Sequence, residues 1–156
     1  MHATTTKPFR HATRVYWEDT DAGGIVYYAN YLKYFERART EWLRSLGVEQ
    51  GALRERLGAM FIVSRTAMRY LRPARLDDLL EVTVAVRDAA RVSLHLEQQA
   101  LRGTELLAEG DIRIAWQRSD VSLIRERLGD IRKRQRRYTG SDTDRYSSGR
   151  DVRDGL

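Results

Sequence analysis

Arg14-Val15-Tyr16-Trp17-Glu18-Asp19-Thr20-Asp21-Ala22-Gly23-Gly24-Ile25-Val26-Tyr27-Tyr28-Ala29-Asn30-Tyr31 is the stretch whose reading decides the fold. Its first part alternates, with Val15 and Trp17 on one face and Tyr16 and Glu18 on the other. That period predicts a first strand over Thr13 to Asp19. Asp21-Ala22-Gly23-Gly24 predicts a turn, because glycine adopts backbone shapes that other residues resist. From Ala29 to Leu46 the period becomes helical. Tyr31, Phe35, Ala38, Trp42 and Leu46 form an apolar stripe, while Lys33, Arg37, Thr40, Glu41 and Arg44 occupy the other face. Asn30 reads as the N-cap and Gly47 as the stop.

Working outward, a short helix is expected over Glu49 to Leu57, ended by Gly58. The pattern then alternates. Phe61 to Leu71 predicts a long strand, broken at Arg72-Pro73-Ala74-Arg75 because proline cannot donate to a ladder. Leu80, Val82, Val84 and Val86 mark a third strand, and Val92, Leu94 and Leu96 a fourth. Leu106, Ala108, Ile112, Ile114 and Trp116 mark a fifth, with Gly110 read as a bulge. One strand, one long helix and four strands on short connections make an α+β protein with an antiparallel five-stranded sheet. The helix must bury its stripe, and a curved sheet wrapped around it is the economical way to do so.

The 156 residues suit one domain, expected over 13–117, after a loose leader over 1–12. The leader lacks the apolar core of a secretory signal, and no apolar run is long enough to span a bilayer. There is no cysteine, which removes disulfides, a thiolate nucleophile and Cys-based zinc sites, and fits the cytoplasm. The net charge of +6 lies mostly in the tail, where residues 118–156 carry eleven Lys and Arg against seven Asp and Glu. Arg132-Lys133-Arg134-Gln135-Arg136-Arg137 is strongly basic, and Tyr138 to Leu156 has too few aliphatics to offset the entropy of ordering. Disorder is the expectation for this tail, and nucleic-acid binding through it the lesser reading.

The chemistry concentrates where the strand ends in Asp19 and Asp21 and the helix begins. A helix N-terminus offers free N–H groups and partial positive charge. Such groups polarise a carbonyl and hold its developing oxyanion, while a carboxylate activates water or attacks directly. Those are the parts of an acyl hydrolase. The bland reading of Asp21 is a turn aspartate, and Asp19 reads as a structural hydrogen-bonding residue. Glu36 and Glu41 read as partners of helix arginines. His2, His11 and His95 are spaced neither for a serine–histidine pair nor for a metal.

Residues 19–31, together with Tyr34-Phe35-Glu36-Arg37-Ala38-Arg39 and Pro73-Ala74-Arg75-Leu76-Asp77-Asp78, resemble the signature of the hotdog-fold acyl-CoA thioesterases. The likeness is to the subfamily encoded with the bacterial Tol-Pal envelope system, relatives of the Pseudomonas-type hydroxybenzoyl-CoA thioesterase. It covers about residues 13–117. The resemblance implies a hotdog fold that pairs edge to edge, as a homodimer or homotetramer, with active sites at the dimer interface. It implies Asp21 as the catalytic carboxylate, the Tyr28 backbone N–H as the carbonyl donor, and Gly24 as the turn glycine beside the helix. Acyl-CoA is the implied substrate, with an acyl carrier protein thioester as a variant, and no metal or redox cofactor is implied.

Three departures stand out. Basic residues before the fourth strand hold the CoA phosphates in relatives; here only Arg91 keeps a charge, which weakens that contact. Tyrosine at position 28 matches the hydroxybenzoyl-CoA enzymes, whereas the Tol-Pal-associated ones often carry histidine, and a backbone N–H survives that swap. After Trp116 the likeness stops, as a divergent extension or a frameshift would produce. A hotdog dehydratase ranks lower, since no histidine lies between His11 and His95. A non-catalytic acyl-CoA-binding or envelope-associated scaffold protein is the alternative from another class.

Overall fold

The computed structural model describes residues 7–90 and 92–117, with Gly129 and Lys133 besides. Arg91, the expected disorder of the tail and its basic run apart from Lys133 lie outside the described residues. The elements are β1 (Phe9–Arg14), a single 3-10 turn (Trp17–Asp19), α1 (Asn30–Ser45), α2 (Gln50–Leu57), β2 (Met60–Tyr70), β3 (Leu79–Ala89), β4 (Ser93–Arg102) and β5 (Glu105–Gln117). They build one sheet in the order β1-β3-β4-β5-β2, antiparallel throughout. Five antiparallel strands with one long helix across them are the α+β arrangement that the resemblance implies.

The core lies between α1 and one face of the sheet. Alternation aims Leu80, Val82 and Val84 of β3, Leu94 and Leu96 of β4, and Ile112 and Ile114 of β5 at the helix. The expected stripe of α1 is buried at Tyr31, Phe35, Ala38 and Trp42, and half-buried at Leu46. Tyr34, Arg39 and Leu43 are buried as well, so the buried face is wider than the stripe. Gly47 ends the helix with a positive φ of 76°.

Three local expectations are corrected. The first strand runs over Phe9–Arg14, not Thr13 to Asp19, so Phe9–Ala12 belong to the sheet and not to a leader. Phe9, His11 and Thr13 sit opposite Val84, Val82 and Leu80, and Phe9 packs on the core. The strand stops early because the Asp19 carboxylate takes the Tyr16 N–H at 2.8 Å, which offers the backbone a turn in place of a ladder. Trp17 is thereby 79% exposed.

Gly110 is no bulge. It pairs in register with Met68 and Gln98, and the register shifts fall elsewhere, at Val63/Arg65, Val86/Asp88 and Ala100/Leu101. The glycine is needed for close approach, since a Cβ there would come within 2.6 Å of the Phe35 ring and 2.8 Å of Met68 Sδ. Nor is Asn30 the N-cap; that position is Ala29, and the Asn30 side chain turns back to the preceding loop.

A buried polar tie joins helix to sheet. Gln98, fully buried on β4, donates from Nε2 to the Phe35 carbonyl at 3.0 Å and accepts from Arg39 Nη1 at 2.7 Å. Desolvation holds the Arg39 pKa below its ordinary value, and nearby Glu36 acts against that shift. Among the described residues no helix is long and apolar enough to cross a membrane.

Candidate active site

The site is a loop held at both ends. After β1, Val15 is fixed to the start of β3 by Val15 N–H to Asp78 O at 2.9 Å and Asp77 N–H to Val15 O at 3.1 Å. The 3-10 turn then brings Asp19 inward, and Asp19 is 3% exposed. Its carbonyl accepts two bonds from beyond the turn, from the Tyr27 N–H at 2.9 Å and from Asn30 Nδ2 at 3.0 Å. Asp19 is therefore a structural residue, as its sequence reading predicts.

Between these ties the chain makes a tight hairpin. Thr20 bridges Val26, Asp21 N–H donates to Ile25 O at 2.9 Å, and Gly24 N–H donates to Asp21 O at 3.0 Å. Gly24 has φ of 73°, a left-handed shape that costs a side-chain-bearing residue about 1–2 kcal/mol. Asp21 stands exposed at the neck of this hairpin. Its Oδ1 accepts the Gly23 N–H at 2.8 Å. The turn reading of Asp21 is thus present in the geometry, and among the described residues it engages one oxygen only. That bond fixes the carboxylate while Oδ2 stays open to a ligand.

The helix begins immediately afterwards. Asn30 N–H donates to Tyr27 O at 2.9 Å, and no hydrogen bond among the described residues takes up the Tyr28 N–H. A free N–H in the first turn is what a helix start provides. Tyr70, the last residue of β2, donates its hydroxyl to the Tyr28 carbonyl at 3.1 Å. The Tyr70 ring lies 6.1 Å from that of Tyr28 and 5.5 Å from that of Tyr31. Tyr27 and Tyr28 pack at 4.8 Å and remain largely exposed, whereas Tyr31 and Tyr34 are core residues.

The wall behind the helix start is the loop after β2. Val26 N–H donates to Ala74 O at 2.9 Å, and Ala74 N–H donates to the Tyr31 hydroxyl at 3.0 Å. Burial pushes the phenols of Tyr31, Tyr34 and Tyr70 up, so each is an uncharged hydroxyl at neutral pH. The buried Tyr34 hydroxyl has no partner within bonding geometry among the described residues, and the neighbouring Asp19 carboxylate adds to its upward shift.

Asp21, Gly24 and Tyr28 thus share one hairpin-to-helix junction. A held carboxylate and an unengaged helix N–H there are suited to attack on, and polarisation of, a carbonyl group. Glu41 pairs with Arg44, as expected, while Glu36 accepts the Thr40 hydroxyl at 2.7 Å. His95 lies on the outer sheet face, 2.5 Å from Asp111 Oδ2. Among the described residues no cluster of three His, Asp or Glu could hold a metal. Sequence reasoning missed Tyr70 and the true role of Asn30. The only signal for Tyr70 was its parity with Thr66 and Met68 on the helix-facing side of β2.

A family model described as the thioesterase-like superfamily matches residues 15–125. The acyl-CoA thioesterase YbgC of Haemophilus influenzae is 44% identical over 107 residues, 69% of this chain and 79% of that protein. The acyl-CoA thioester hydrolase YbgC of Escherichia coli is 43% identical over 108 residues, 69% of this chain and 80% of that protein. Among solved structures, a probable thioesterase from Bartonella henselae superposes with a TM-score of 0.70 at 30% identity, covering 74% of this chain and 96% of that one.

Proposed function

The chain belongs to the thioesterase-like superfamily, and on that premise we propose that it hydrolyses acyl-CoA thioesters to the free acid and CoA with Asp21 as the catalytic carboxylate. The observation that carries this reading is the half-engaged Asp21. One oxygen is tied to the Gly23 N–H at 2.8 Å, in a hairpin that leads directly into the free N–H of Tyr28. The thioester carbonyl accepts from that N–H, and the helix dipole stabilises the oxygen as it gains charge. Asp21 then acts on the carbonyl carbon as nucleophile, or as general base toward water; both need a carboxylate in this one place. Gly24 supplies the left-handed turn that brings acid and helix start together. Arg91 meets a CoA phosphate.

The reading extends to assembly and setting. β2 is an edge strand that opens with an apolar stretch in which Met60, Ile62 and Val63 are exposed, and an apolar stretch on an open edge is a surface for pairing with another strand. Two copies joined there make the homodimer, which doubles into a homotetramer. The enzyme works in the cytoplasm beside the Tol-Pal system, on acyl-CoA or on an acyl carrier protein thioester.

The test is thiol release from short, long and aromatic acyl-CoAs and from an acyl carrier protein thioester, with molar mass taken by light scattering. Turnover on at least one acyl-CoA by a dimer or tetramer is expected. Tight acyl-CoA binding without turnover would replace this reading by that of a binding protein.

A further inference from the structure

The Asp19 carbonyl is the point where the acid-bearing hairpin and the helix start meet. It accepts the Tyr27 N–H at 2.9 Å and the Asn30 side-chain amide at 3.0 Å. Asp19 lies two residues before Asp21, and Tyr27 one residue before Tyr28. Backbone-to-backbone ties also run through the hairpin and the helix start, Thr20 to Val26, Asp21 N–H to Ile25 O and Asn30 N–H to Tyr27 O, while the Gly23 N–H bond to Asp21 Oδ1 stays within the hairpin. Asn30 supplies the one side-chain bond among the described residues that runs from the helix to the acid loop. It is 7% exposed, so the bond is shielded from water and no solvent molecule readily replaces it. It is the first residue of the helix, one past the N-cap Ala29, and its amide reaches back to the loop.

We propose that Asn30 is a positioning residue for the hydrolysis, setting the Asp21 carboxylate relative to the Tyr28 N–H through its bond to the Asp19 carbonyl. The proposal rests on the catalytic reading of Asp21. Asn30 touches neither the thioester nor the reacting water. Its effect is on the spacing of the two groups that do, and a displacement of about 1 Å in such a pair can cost on the order of 100-fold in rate. Binding of the CoA portion lies elsewhere, so the loss falls on kcat and leaves KM nearly unchanged.

The test measures kcat, KM and melting temperature for Asn30→Ala, Asn30→Asp, Asp21→Asn and Thr83→Val. Asn30→Asp keeps the shape, removes the donor when ionised, and places negative charge where a helix N-terminus favours it, so it remains informative if Asn30→Ala fails to fold. Thr83→Val is a control for general loosening, because the buried Thr83 hydroxyl accepts the Gln99 N–H at 3.0 Å, a tie within the sheet. The expected result is kcat lowered about 10- to 100-fold in the Asn30 variants at KM within about threefold of wild type, with Thr83→Val keeping wild-type kcat despite a lower melting temperature. Wild-type kcat in folded Asn30 variants beside an inactive Asp21→Asn would overturn the proposal alone, as would an equal loss in Thr83→Val. Full activity in Asp21→Asn would instead remove the reading beneath it.

Discussion

At the scale of single residues, the candidate site is legible wherever its parts are neighbours in the chain. Asp21, Gly24 and Tyr28 fall within eight positions, and two glycines beside an acid before a helical period announce the turn. What sequence cannot display is a bond between distant positions. Asn30 reaches back 11 residues to Asp19, and Tyr70 reaches 42 to Tyr28. An asparagine at a helix start looks like a cap, because propensity records the usual partner and not the actual one. Gly23 carries a prediction at this scale. A Cβ there would lie 3.1 Å from Asp21 Oδ1, close enough to push the carboxylate aside. Gly23→Ala is expected to lower kcat by roughly tenfold or more while shifting the melting temperature little, as steady-state kinetics beside thermal unfolding would record.

At the scale of elements, periodicity located α1 and the four later strands within a few residues, because a buried stripe and strict alternation are strong signals. It misplaced β1, since Val15-Tyr16-Trp17 alternates as a strand does while the Asp19 carboxylate draws Tyr16 into a turn. The buried pair Arg39 and Gln98 was invisible for a related reason, as polar residues on apolar faces contradict the pattern that finds the faces. Gly110 was seen and misread. Gly110→Ala is expected to lose about 1–3 kcal/mol in chemical denaturation, the cost of overpacking against Phe35 and Met68.

The loop behind the site adds a pH dependence. Burial acts to raise the Asp78 pKa, but the Arg75 N–H, the Arg102 guanidinium and its charge outweigh it and hold the carboxyl below the usual range. A depressed folded pKa contributes stability above the unfolded value of about 3.9, lost as pH falls through the folded one. Asp78→Asn should therefore cost about 1 kcal/mol at pH 7, with the gap from wild type closing below about pH 4 in melts taken across pH.

At the scale of the whole molecule, the sheet is open at β1 and β2. β2 is the exposed edge beside the site: its last residue, Tyr70, holds the Tyr28 carbonyl, while Ile62 and Val63 stand exposed at its other end. Pairing through β2 would therefore link assembly to catalysis. The edge carries exposed Arg65 and Arg69, but Met60 to Val63 bear no charge, and a charge placed in that stretch is an obstacle to strand addition. Val63→Lys is expected to halve the molar mass of the dimer in light scattering and to depress turnover with it. The fold class could be read from the order of periods, strand then long helix then strands. The pairing order β1-β3-β4-β5-β2 could not, because it depends on which strand edges meet across the helix and no local pattern encodes that.

The account turns on Asp21, and the most direct measurement is the turnover of Asp21→Asn beside wild type on the acyl-CoA that wild type hydrolyses best, with acyl-CoA affinity measured in both. The substitution keeps the acceptor for the Gly23 N–H and removes the carboxylate. The account predicts kcat lower by at least about 100-fold with acyl-CoA affinity retained; equal kcat in the two proteins would contradict it.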